Sequence, residues 1–85
     1  MISTPILREL VLARAARAIR AKELPNGFVL TVQIGSDEKQ LSAQRGGGRI
    51  FKTLDSLARY VESIGGGSFE VFLAGHSDSS AELGG

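Results

Sequence analysis

Between Pro5 and Lys22 the chain runs without a glycine, PILRELVLARAARAIRAK, and its apolar positions fall three and four residues apart. Residues of high helix propensity dominate, so the spacing predicts one helix over this stretch. Pro5 suits a first helical position, and Ser3 or Thr4 offers the side-chain oxygen that the opening amides need. At about 100° per residue, Leu7, Leu10, Val11, Ala18 and Ala21 fall on one arc, while Leu12, Ala16 and Ile19 form another. Arg8 separates the two arcs on one side and Arg17 and Arg20 do so on the other. Two apolar stripes call for two partners. The first is expected to cover the domain's own sheet and the second, Leu12, Ala16 and Ile19, to meet a second subunit or another protein.

After the turn residues Pro25, Asn26 and Gly27 the period changes from 3.6 to two. Phe28, Leu30, Val32 and Ile34 alternate with Val29, Thr31 and Gln33, which predicts a strand with one buried face. Gly35 to Glu38 read as a turn, and Gln40 to Gln44 as a second strand with Leu41 and Ala43 on its apolar side. RGGGR at 45–49 is a flexible connection before a short third strand, Ile50 to Lys52. Thr53 then caps a second helix, LDSLARYVESI, with Asp55 in its first turn and Leu54, Leu57, Ala58, Val61 and Ile64 on one face. Gly65 to Gly67 stop it, and SFEVFLA at 68–74 alternates as a fourth strand. The expectation is an α+β two-layer sandwich of order α-β-β-β-α-β, an antiparallel sheet with both helices on one face. Residues 1–74 form one domain in this reading, and 75–85, which have no apolar period, form a disordered tail.

With 85 residues the chain is short enough that pairing with a copy of itself adds usefully to a small core. It contains no cysteine, which removes disulfides, thiolate nucleophiles and thiolate metal sites and fits a reducing cytoplasm. No apolar run approaches the roughly 18 residues of a membrane span, and no secretory signal pattern opens the chain, so a cytoplasmic protein without membrane contact is expected.

The lone His76 falls in the tail with no second histidine or cysteine to complete a metal site or triad. Asp37 and Glu38 sit together at a hairpin tip, where turn chemistry accounts for them better than a catalytic pair in two distinct environments. RGGGR lacks the spacing of a phosphate-binding loop and opens no helix directly. No enzyme activity, cofactor or metal is therefore expected. Charge is more informative: without Asp78 and Glu82 of the tail, ten basic residues face seven acidic ones, a charge of +3. Gln40, Ser42, Gln44, Arg45, Arg49 and Lys52 would give a basic hairpin the means to meet phosphates and base edges. A solvated sheet face needs the same residue types.

The LRELVLARAARAIR helix, the hairpin, the R-x-F-K-T-L-D-x-L stretch at 49–57 and the F-E-V strand at 69–71 together resemble ParC-type plasmid partition-associated proteins, small accessory proteins of plasmids and integrative elements. The resemblance covers about residues 5 to 74 and its motifs are structural, so it carries over no catalytic residue. It implies a role in plasmid or mobile-element maintenance, alongside a partition ATPase, a centromere-binding protein or DNA. The element order is also similar to that of the double-stranded-RNA-binding domain, but Leu54, Asp55 and Ser56 stand where that fold has a lysine-rich helix start. The leading expectation is a non-enzymatic accessory protein that binds a protein partner as a homodimer through Leu12, Ala16 and Ile19. The alternative is a nucleic-acid-binding regulator that uses the hairpin and third strand.

Overall fold

The structure, a computed structural model, describes residues 1–43 and 46–74. In chain order its elements are α1 (Thr4–Leu12), β1 (Ala16–Leu24), β2 (Gly27–Ile34), β3 (Asp37–Gln40), β4 (Ile50–Phe51), α2 (Leu54–Ser63) and β5 (Glu70–Phe72). The α+β class therefore holds, with five strands rather than four among the described residues. The expected tail at 75–85 lies outside the described residues.

The largest correction concerns the first helix, which ends at Leu12 instead of running to Lys22. Ala13 caps it, Arg14 turns into the left-handed region at φ 60°, and the chain leaves as β1. Two bonds close the end: the Arg14 amide donates to the Val11 carbonyl at 3.1 Å and the Ala15 amide to the Leu10 carbonyl at 2.8 Å. This is a Schellman closure with arginine at the position that glycine usually holds. Beyond it, Ile19 and Ala21 alternate with Arg20 and Lys22, so a strand buries the apolar pair as well as a helix does. What decides between them is β2, whose backbone groups need a partner on this side; β1 pairs with it antiparallel from Ala16↔Ile34 to Leu24↔Gly27, closing a tight hairpin over Pro25 and Asn26.

The second strand also starts earlier than expected. Asp37 to Gln40, read as turn and strand start, form β3 after a two-residue turn at Gly35 and Ser36, with Ile34 opposite Asp37. Leu41 and Ser42 make only isolated bridges, to Ile2 and Gly48. Further along the chain β4 resumes pairing along β2, Phe28↔Phe51 and Val29↔Ile50. The sheet order is β3-β2-β1-β5, with β4 beside β2 on the same side as β3.

The sheet is mixed, not an antiparallel meander, because β5 runs parallel to β1 through Arg20↔Glu70, Ala21↔Val71 and Lys22↔Phe72. A parallel return needs a crossover, and α2 supplies it, carrying the chain from one side of β2 to the far side of β1. Leu57, Val61 and Ile64 from the α2 region and Leu7 of α1 pack with Ile19, Ala21, Leu30 and Val32 in one cluster. By register those four strand residues share a sheet face, so both helices lie on that face. Thr53 caps α2 as expected, accepting from the Ser56 amide at 3.1 Å. Gly65, at φ 89°, ends it with the same Schellman pair of bonds that closes α1. At α1 the expected side-chain cap is absent: Ser3 is the N-cap without a side-chain bond, and Thr4 Oγ1 instead shares a hydrogen bond with the Tyr60 hydroxyl at 2.7 Å, tying the two helices together.

The open sheet face as candidate functional site

The face opposite the helices carries Ala18, Arg20, Lys22 and Leu24 of β1, Val29, Thr31 and Gln33 of β2, Glu38 and Gln40 of β3, Ile50 of β4, and Glu70 and Phe72 of β5. These residues divide into a polar half and an apolar half. In the polar half Glu38 is the hub. It accepts from Lys22 Nζ at 2.8 Å, Arg20 Nη1 at 3.0 Å and Thr31 Oγ1 at 3.0 Å, so one carboxylate joins three strands. Arg20 Nη1 also donates to Gln33 Oε1 at 3.0 Å, and its Nε lies 3.5 Å from Glu70. The Lys22 hydrogen bond, followed by that of Thr31 and then Arg20, holds the Glu38 carboxyl down at about 2, outweighing the opposite effect of burial. Beneath these side chains Thr31 is 6% exposed although no helix covers it.

The apolar half lies where β1 ends and β2 begins. Phe72, Lys22, Val29 and Ile50 form one row across four strands, and Leu24 stands diagonally beside Phe72. Leu24, Ile50 and Phe72 keep 38%, 37% and 48% of their surface in solvent. Large aliphatic and aromatic groups gathered on an open face are the usual mark of a contact surface.

The expected interface stripe does not exist as such. Leu12 ends α1 and is exposed, but Ala16 and Ile19 lie in β1, where Ala16 packs against the core and Ile19, 8% exposed, belongs to it. The described members of the basic hairpin set, Gln40, Ser42, Arg49 and Lys52, are not brought together either. Gln40 is on the open face opposite Thr31. Ser42 donates its hydroxyl to the Ile2 carbonyl at 3.0 Å, and Lys52 is exposed beside the α2 cap. Arg49 lies on the helix side, its guanidinium 4.7 Å from the Phe51 ring centre and 4.8 Å from that of Tyr60. Gln44 and Arg45 lie outside the described residues. Reasoning from the sequence missed Arg20, Lys22 and Glu38, the first two because they were placed on a helix and the third because it was placed in a turn. The alternation of Arg20 and Lys22 with Ile19 and Ala21 was the available signal.

These features define a small two-layer α+β domain with helices on one side of a mixed sheet and an unshielded surface on the other. The chain belongs to the ParC-like family, whose model matches residues 2–77. No curated protein and no solved structure matches it. No helix among the described residues is long and apolar enough to cross a membrane.

Proposed function

We propose that this chain is a non-enzymatic accessory protein of plasmid or mobile-element partition, acting by holding a protein of that machinery on its open sheet face. Membership of the ParC-like family supports the setting. The observation that carries the binding role is the exposure of Leu24, Ile50 and Phe72 together on a face that a merely solvated sheet would fill with polar side chains. Arg20, Lys22, Glu38 and Glu70 beside these three present both signs of charge, which suits orienting a docked segment more than gripping a polyanion.

The test is retention of the partition ATPase or centromere-binding protein of the same element on the immobilised chain. Ile50→Glu places a negative charge at the β4 end of the apolar half and abolishes retention, while leaving the helix side untouched. Equal retention by this variant overturns the assignment of the face. A DNA complex whose affinity falls steeply with salt and is lost in Arg45→Ala with Arg49→Ala replaces it with the nucleic-acid reading.

A further inference from the structure

We infer that β5 is the pairing edge for a second copy of this chain, joined antiparallel about a two-fold axis at Val71. The inference stands on the sheet alone and does not depend on the function proposed above. Its starting point is the contrast between the two sheet edges. The β3 edge reads Asp37, Glu38, Lys39, a charged strand of the sort that blocks further pairing. The β5 edge reads Glu70, Val71, Phe72 and continues into Leu73; it is short and carries one charge, Glu70, but no lysine, proline or bulge.

A second observation is the strand's cover. Parallel strands normally occur where both sheet faces are shielded. Yet β5 is parallel to β1, packs chiefly on β1, and is exposed along its whole length, with Val71 38%, Phe72 48% and Leu73 47% open to solvent. A three-residue strand with one neighbour has little reason to hold its place. Among the described residues nothing pairs with its other side.

The segment's own sequence favours a copy of itself as the occupant. Antiparallel pairing centred on Val71 sets Val71 against the partner's Val71 and Phe69 against the partner's Leu73, which puts apolar pairs along the helix side of the seam. On the open face Glu70 falls opposite the partner's Phe72. Glu70 is two-thirds exposed and lies 3.5 Å from Arg20 of its own chain, so its carboxylate stays solvated at the seam. The two sheets then become one, with all helices on one side and two copies of the Leu24, Ile50 and Phe72 surface on the other. A seam of five residues a side is smaller than the roughly 1,200 Å² at which standard interfaces begin, which puts it with weak, exchanging contacts.

The absence of cysteine makes a direct test available. Full-length Val71→Cys, mildly oxidised, cross-links to a covalent dimer, since directly opposed residues bring their Cβ atoms within about 5.5 Å. Lys39→Cys on the opposite edge does not. In a sedimentation series the unmodified chain moves from one chain's mass toward two, Val71→Lys weakens this at least about tenfold by forcing a charge into the seam, and Leu12→Lys on α1 changes nothing. Overturning results are a chain that stays monomeric throughout, a dimer that survives Val71→Lys, or equal cross-linking at positions 71 and 39. Slow labelling of Cys in a monomeric Val71→Cys chain assigns the edge to residues 75–85 of the same chain, which also overturns the inference.

Discussion

Removing the Glu38 charge separates the contribution of the open-face network from that of the core. Glu38→Gln keeps size and shape but loses the carboxylate that Lys22, Arg20 and Thr31 share. The carboxyl is held at about 2 against an ordinary 4.5, a shift that sets an upper bound of about 3 kcal/mol on its preference for the folded network. The side chain is 32% exposed, so water and salt screen these partners, and the net value is about 1 kcal/mol. For a domain of this size that is a fall in Tm of about 4–8 °C at neutral pH. The pH dependence gives the sharper test. Because the folded value is depressed, the stabilisation is fully present above the ordinary 4.5 and is lost as pH falls through about 2. Thermal unfolding followed by circular dichroism is expected to show a gap between parent and variant that is constant from pH 7 to about 5 and closes progressively toward pH 2. Moderate salt narrows the gap at pH 7 without moving the window. A gap that stays the same width at both ends of the range, or no gap at pH 7, refutes the account of Glu38 as the hub.

Four further substitutions test the fold that supports this face. Leu30→Ala empties the fully buried centre of β2 and is expected to cost about 2–5 kcal/mol, enough to show as a large loss of urea midpoint in a domain whose total stability is of order 4–13 kcal/mol. Tyr60→Phe removes the hydroxyl shared with Thr4 and is expected to cost about 0.5–1.5 kcal/mol in the same assay, with Thr4→Val adding little once Tyr60 is changed. Gly27→Ala should be the least tolerated of the glycine changes: at φ 143° its backbone suits no side chain, and a Cβ there would run into the Phe51 carbonyl and the Ile50 side chain, so soluble folded protein is expected to fall sharply.

Much of the helix side was legible because its signals are local. Thr53 before an apolar-periodic run, Asp55 in the first turn and Gly65 at the end specify α2 without reference to the rest of the chain. Strand β2 was equally plain, since Phe28, Leu30, Val32 and Ile34 take every second position, although Val29 and Thr31 on the opposite face are buried as well and the expected single buried face does not hold. The open face was much less legible. Its network depends on Arg20 and Lys22 facing Glu38 across β2, and that juxtaposition exists only once β1 and β3 have both been laid beside β2 in the observed register. The parallel placement of β5 was hidden for a similar reason: strand order depends on where α2 returns the chain, and nothing in Phe69 to Leu73 encodes which neighbour it meets.

The two helix ends show why one boundary could be read and the other could not. Both close with the same pair of bonds, Gly65 and Gly66 amides to the Glu62 and Val61 carbonyls at one end, Arg14 and Ala15 amides to the Val11 and Leu10 carbonyls at the other. The geometry is common, but only the first carries the residue that announces it. At Arg14 the chain adopts a left-handed conformation that disfavours any side chain, inside a run of alanines and arginines that all favour a helix. Local preference therefore votes for continuation, and the end is imposed from outside by the pairing of Ala16–Leu24 with β2. If that is the balance, the strain sits in Arg14 alone, and Arg14→Gly relieves it while leaving every backbone bond of the turn in place. The substitution is expected to raise stability by about 0.5–1 kcal/mol, less than the full left-handed penalty because glycine also loosens the unfolded chain. A loss of stability would mean instead that the exposed arginine makes a contact worth more than the conformation it is forced to adopt.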